Sequence, residues 1–217
     1  MAYILNNQNI ASWRPVNNNR PWYQKALALL PDLSKASVIE LGSGNGELAN
    51  LLQPKVKSLT CVDNSAIYTA KLAKRGFKAR QADFNQPLPF KTSQFDCIIS
   101  LEVIEHLVKV EDFLLEAHRI LKPNGLLIIS TPNIAWWGYR LFSLLGQPPK
   151  KEGYHLRFFT YNTFKHYLAQ AGFKVIKSNS FTTLPLLNRY LPQPIYPTIK
   201  YWPNLLAQDL VFLCQKQ

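Results

Sequence analysis

The stretch Val38-Ile39-Glu40-Leu41-Gly42-Ser43-Gly44-Asn45-Gly46-Glu47-Leu48 constrains the chain more than any other. It reads as a buried strand that stops at a glycine-rich turn and restarts as a helix. Glycines at three alternate positions leave no Cβ on the inside of the turn, so positive φ costs little and a ligand can approach the backbone. The helix that follows offers unpaired N–H groups and the positive end of its dipole to a carboxylate or phosphate. A dinucleotide turn needs G-x-G-x-x-G, and its third glycine position is here Glu47. Glu40, closing the strand, repels a pyrophosphate and suits a ligand with an ammonium group. A glycine-rich loop with no ligand is the plain alternative.

Apolar runs and helical stripes alternate along the rest of the chain. Strands are expected at 37–41, 58–62, 77–82, 95–101, 126–130, 173–178 and 208–214, and helices at 21–30, 46–52, 66–75, 110–121, 134–146 and 161–171. Lys122-Pro123-Asn124-Gly125 reads as a turn between a helix and the next strand, and Thr160 as a helix N-cap. The regular β-α order through residue 131 argues for an α/β fold with a doubly wound parallel sheet. The whole of 1–217 reads as one domain, with an N-terminal arm over 1–36 that is irregular through residue 20. Residues 181–206 hold prolines at 185, 192, 194, 197 and 203 among aromatic and basic residues. Such density forbids a regular element, so this segment is expected to cover an acceptor site or to seek a surface.

Net charge is +12, and 138–217 carries ten Lys and Arg against two acids. A basic surface attracts nucleic acid, anionic lipid or a phosphorylated substrate, or serves solubility alone. The sequence holds no apolar run long enough to span a bilayer and no signal peptide, which points to a cytoplasmic protein, peripheral to a membrane surface at most. Cys61, Cys97 and Cys214 each lie in an apolar strand-like run, as buried free thiols do in a reducing compartment.

Open parallel sheets bind ligands beyond the C-terminal ends of their strands. Asp63 follows the second strand, 21 residues after Gly42, where its two oxygens can accept both hydroxyls of a ribose, with Asn64 beside it. Asp83 follows the third strand and can accept from an adenine amino group, with Phe84 against the ring; an ordinary loop acid is the alternative. Leu101 ends the fourth strand, and Glu102 to His106 follow it at the same end. Tyr3, Trp13, Trp22 and Tyr23 of the arm can stack on a ligand or pack into the core.

Glu40-x-Gly42-x-Gly44-x-Gly46, Asp63, Asp83, the L-P-F…F-D pair around 88–96, E-V-I-E-H at 102–106 and S-T-P-N at 130–133 together resemble the class I S-adenosylmethionine-dependent methyltransferases. The resemblance implies a Rossmann-like seven-stranded sheet in the order 3-2-1-4-5-7-6, with strand 7 antiparallel. It implies S-adenosyl-L-methionine as donor, bound by Glu40, Gly42, Ser43, Gly44, Gly46, Asp63, Asn64, Asp83, Phe84 and Leu101. The reaction implied is in-line attack on a sulfonium methyl, for which the protein supplies orientation and a dry site. A dehydrogenase that has lost its function is disfavoured by Glu47 and Asp83.

E-x-x-E-H followed by His155, just ahead of Phe158-Phe159, is similar to ubiquinone-pathway O-methyltransferases and to small-RNA 2′-O-methyltransferases. That likeness implies His106 and His155 as catalytic residues. It also implies a divalent cation held among Glu102, Glu105, His106 and His155 as one alternative, and a packed or basic His106 as others. The segment 131–146 is similar to a methyltransferase-like protein associated with methionine biosynthesis, which implies a cofactor-binding, largely non-catalytic partner subunit. The expected acceptor is an oxygen of a small or lipid-linked molecule, with RNA as the alternative.

Overall fold

The computed structural model describes residues 20–148, 155–184, 188–191 and 193–217. Tyr3, Trp13, most of the loop before His155, Pro185 and Pro192 therefore lie outside the described residues. Seven strands form one sheet: β1 Ser37–Leu41, β2 Ser58–Asp63, β3 Lys78–Gln81, β4 Phe95–Leu101, β5 Leu121–Pro132, β6 Phe173–Ser178 and β7 Asp209–Lys216. Their order is β3-β2-β1-β4-β5-β7-β6. β7 runs antiparallel to both its neighbours, and the pairs from β3 to β5 are parallel.

Both faces of the sheet are buried because successive side chains point opposite ways. Ile39, Ile98, Leu127, Ile129 and Phe212 face one core. Val38, Cys97, Ile99, Ile128 and Val211 face the other. Helices α1 Pro21–Leu27, α2 Glu47–Leu52 and α3 Ala66–Lys74 cover the second face. The first face is covered by α4 Val110–Ile120 and α6 Tyr161–Gln170, which follows α5 Trp137–Leu144 in the chain. On α4, Val110, Phe113, Leu114, Ala117 and Ile120 are buried at helical spacing. Each large member contributes about 1.5–3 kcal/mol by leaving water. Thr160 caps α6 as expected: its Oγ1 accepts from Thr163 N, while Thr160 N donates back to Thr163 Oγ1 at 2.8 Å. Lys216 Nζ donates to the carbonyls of His118 and Leu121, two of the orphan acceptors at the end of α4.

Several expectations need correction. Lys122-Pro123-Asn124-Gly125 does not separate α4 from β5; β5 begins at Leu121 and carries the four residues as an outward loop. Phe95 pairs with Leu121 and Cys97 with Leu126, so two steps of β4 face five of β5, and Asn124 takes φ 60° in the loop. The helix expected over 134–146 begins only at Trp137, because Asn133 Oδ1 accepts from Ala135 N and holds the chain in a turn. The proline-dense segment does hold one helical turn, α7 Pro203–Leu206, with its proline at the start where no N–H is needed. The three cysteines are buried and unpaired, and burial pushes the Cys61 and Cys97 thiols up to about 12. Among the described residues no helix is long and apolar enough to cross a membrane.

Candidate functional site

The glycine turn between β1 and α2 is drawn tight by side chains beneath it. Ser43 is buried; its Oγ donates to Glu40 O and accepts from Val62 N, so this hydroxyl pins the turn between β1 and β2. Gly42 has φ +89°, and a Cβ there would lie 2.3 Å from Val103 Cγ2. Gly44 also has positive φ, but a Cβ there would meet nothing within 4 Å, so its backbone faces open space. Gly46 is the left-handed residue before α2. With six residues α2 is short, so the turn itself presents most of the available N–H groups.

Asp63 closes β2 directly across from this opening. Its Oδ2 accepts from Gly44 N at 2.8 Å and its Oδ1 from Ser65 N at 2.9 Å. A carboxylate has about four acceptor positions, so the backbone donors Gly44, Asn64 and Ser65 leave room for a further donor. Burial raises the Asp63 carboxyl, and the backbone donors oppose that rise. Asn64 offers its carbonyl to Gln81 Nε2. Asp83 Oδ1 accepts from Asn85 N, and Asn85 Oδ1 in turn accepts from Val108 N and Lys109 N. Phe84 is a core residue, edge-on to Phe113 with centroids 5.9 Å apart. Leu101 is buried at the end of β4.

Glu40 lies under the turn on the face covered by α1. It is 4 % exposed, and its Oε2 has no hydrogen-bond partner. Burial pushes its carboxyl up to about 8, with Asp63 and Glu47 adding to the rise and the Ser43 hydroxyl opposing it. Above it, Tyr23 of α1 donates to Glu47 Oε2 at 3.1 Å, latching the first helix to the glycine turn. The phenol is within electrostatic reach of Glu47, Arg20 and Glu40. Arg20 precedes α1 and stacks on Trp22; its Nε is buried and also lacks a partner. Sequence reasoning missed Arg20. Its one signal was a cation closing an asparagine-rich arm just ahead of a proline-started helix.

Beyond β4 the two glutamates of E-V-I-E-H part company. Glu102 has φ 56°, which turns its side chain back to β5, where Oε1 accepts from Ser130 Oγ at 2.8 Å. Glu105 sits in the 3₁₀ turn Ile104–His106, 1 % exposed, and accepts from Thr131 Oγ1. Its carbonyl accepts from Leu156 N and Arg157 N, which brings the distant His155 to His106. The two imidazoles lie 4.8 Å apart, inclined at 68°. His106 Nε2 is 3.8 Å from Glu105 Oε1. One potential ligand atom each from Glu105, His106 and His155 lies within 4.8 Å of the others, and Glu102 is not of this group. Pro132, Ile134, Tyr139, Arg157 and Phe158 complete a small cleft over Glu105 and His155. A wider groove, lined by residues 31–36 and 122–126, opens at the far end of the strands.

The sequence matches a family model described as a methyltransferase domain over residues 12–178. It is 29 % identical over 153 residues to a ubiquinone biosynthesis O-methyltransferase of Rickettsia canadensis, covering 66 % of this chain. The chain spans 65 % of that relative's length. A Thermotoga maritima S-adenosylmethionine-dependent methyltransferase, described as a possible histamine N-methyltransferase, superposes with TM-score 0.70 at 25 % identity, over 90 % of this chain and 88 % of its own. A Mesorhizobium loti S-adenosylmethionine-dependent methyltransferase has the same fold, with TM-score 0.71 at 15 % identity, over 92 % of this chain and 99 % of its own.

Proposed function

Because the chain belongs to the S-adenosylmethionine-dependent methyltransferases, and so is an enzyme that takes a methyl group from that donor, we propose that its acceptor is an oxygen of a small or lipid-linked molecule. The supporting observation is the pair of imidazoles, His106 and His155, meeting at 4.8 Å beside the buried Glu105. An oxygen nucleophile must lose a proton as it attacks, and the departing thioether needs no help. One imidazole takes that proton, and Glu105 positions the pair. The O-methyltransferase relatives of ubiquinone biosynthesis lend this choice weight. Isotopically labelled donor incubated with the protein and a cell extract tests it. Label is expected in a small or lipid-soluble methyl ether; label in RNA, or on a nitrogen, overturns the reading.

A second reading uses the same residues. Glu105, His106 and His155 offer one carboxylate and two imidazoles within 4.8 Å of one another, a donor set that fits a divalent cation. When bound, such an ion supplies a Lewis acid that lowers the acceptor's pKa. Glu102, held by Ser130, stands outside this set.

At the donor end, Asp63 holds the ribose, with Asn64 next to it and Asp83 at the adenine amino group, above the core ring of Phe84. Leu101 and the Gly42–Gly46 turn wall the methionine portion. Its amino-acid tail is a zwitterion, and two buried atoms without partners match it: Glu40 Oε2 for the ammonium and Arg20 Nε for the carboxylate. Arg20→Ala is expected to raise the donor dissociation constant by about tenfold to a hundredfold, the value of one charge-assisted hydrogen bond at about 1.5–3 kcal/mol. A decarboxylated donor is expected to bind wild type and variant alike. Equal binding of the intact donor removes Arg20 from the site.

Glu40 gives a linked result. Its folded value, about 8, lies above the ordinary carboxylate range, so the free protein holds a proton there at neutral pH. An ammonium favours the carboxylate, so donor binding releases that proton, and affinity rises with pH toward the folded value. Titration calorimetry at about pH 7, below the α-amino range of about 7.7–8.0, in buffers of different ionisation enthalpy is expected to show the release. Glu40→Gln is expected to abolish it.

A further inference from the structure

We propose that the acceptor end of the molecule docks on an anionic phospholipid surface through a collar of exposed apolar side chains around the cleft. The proposal rests on the reading of this cleft as the acceptor's way in, and it names the surface from which a lipid-linked acceptor is taken.

The collar is assembled at one residue. Asn133, buried at the end of β5, has its Nδ2 within 3.1 Å of the carbonyls of Pro203, Asn204 and Ala207. Its backbone pairs with Phe159, and its Oδ1 holds the turn into α5. Three separate pieces of chain therefore converge beside Pro132 and Ile134 of the cleft: α5, the 155–159 segment and α7. Each presents large apolar groups to water. On α5, Trp137, Leu141 and Leu144 recur at helical spacing and are exposed, while Gly138 and Tyr139 are buried. A helix on an aqueous surface carries polar residues on that outward stripe; here it carries apolar ones. Phe158 stands out from the second piece at 57 % exposure. Trp202, just before α7, is 76 % exposed and held at φ +47°, a conformation costly for any residue but glycine. A fold that spends backbone strain to hold an indole in water has a use for it outside the fold.

Charge selects the occupant. From Ile134 to Gln208 the sequence carries nine Lys and Arg and one acid, Glu152. Arg140 on α5, Arg157 beside Phe158 and Lys200 ahead of Trp202 are all exposed. Exposed aromatic and aliphatic groups interleaved with cations, on a chain without a spanning helix among its described residues, match the interface of a bilayer that carries anionic headgroups. A nucleic acid uses the cations but leaves Leu141 and Leu144 in water.

The test sediments the full chain with phosphatidylglycerol vesicles and with phosphatidylcholine vesicles. Binding to the anionic vesicles alone, weakened by salt and accompanied by a blue shift of tryptophan emission, is the expected result. Leu144→Glu combined with Trp202→Glu is expected to weaken vesicle binding by about tenfold or more, since each places a charge where an apolar group entered the interface. Donor binding by the variant, measured by calorimetry, stays unchanged and shows that it is folded. Equal binding to neutral vesicles, undiminished binding by the variant, or no sedimentation with either lipid overturns the proposal. So does concentration-dependent dimerisation that the variant abolishes while vesicles are ignored. Failure to make a methyl ether, with anionic vesicle binding intact, strikes the oxygen reading and leaves the surface standing.

Discussion

Asp63→Ala is expected to raise the dissociation constant for S-adenosylmethionine by about a hundredfold or more. Two ribose hydroxyls lose a charged acceptor, each contact worth about 1.5–3 kcal/mol. The same change removes the acceptor of Gly44 N and Ser65 N, so the turn loses its tie to the start of α3. Calorimetry with the donor and its demethylated product checks the effect, and a melting curve shows whether the chain still folds. Asp63→Asn separates the two losses. It keeps one oxygen, but must turn an amide N–H toward a backbone N–H on one side, and it is expected to bind donor more weakly than wild type and more tightly than the alanine variant. Unchanged affinity in both removes Asp63 from the ribose.

The second large effect lies at the other side of the transferred methyl. His106→Ala and His155→Ala are each expected to lower kcat by about 10²–10³, within the range for removing a proton acceptor, while leaving the donor dissociation constant within about twofold of wild type. Single-turnover methyl transfer to the acceptor identified from extract measures the first, and calorimetry the second. A chelator separates the two readings of the cleft. A wild-type rate that survives chelation assigns the proton to the imidazoles; a lost rate restored by one divalent ion assigns the ion. An unaltered rate in both histidine variants excludes the pair from the chemistry.

The parts of this molecule governed by short-range pattern were legible in the chain. Val110, Phe113, Leu114, Ala117 and Ile120 announce a one-faced helix, and Ile98 and Ile99 announce a strand buried on both sides. The glycine turn and Asp63 carry their geometry in residue type, since positive φ and a double acceptor each need particular side chains. Strand order came from resemblance alone, because periodicity is blind to which neighbour a strand chooses. The loop at Lys122–Gly125 shows a different limit: four residues that punctuate a chain also fit a wide bulge, and only pairing with Phe95 and Cys97 decides. The cleft over Glu105 and His155 was half legible. E-V-I-E-H places two acids within one turn, but the backbone angle at Glu102 sends one to Ser130 and leaves the other beside the histidines. Arg20 was invisible because its meaning depends on Glu40 and Glu47, which the fold gathers with it around Tyr23.

Val103 occupies the space that a side chain at Gly42 would need, and it belongs to the same five-residue run as His106. One methyl-bearing side chain thus stands between the glycine turn and the run that carries His106. A ligand that fills the turn is expected to press on Val103 and to settle the run behind it before a second molecule arrives. The kinetic signature expected of such a partition is a compulsory sequence, sulfonium compound first and nucleophile second, with the spent thioether the last to leave.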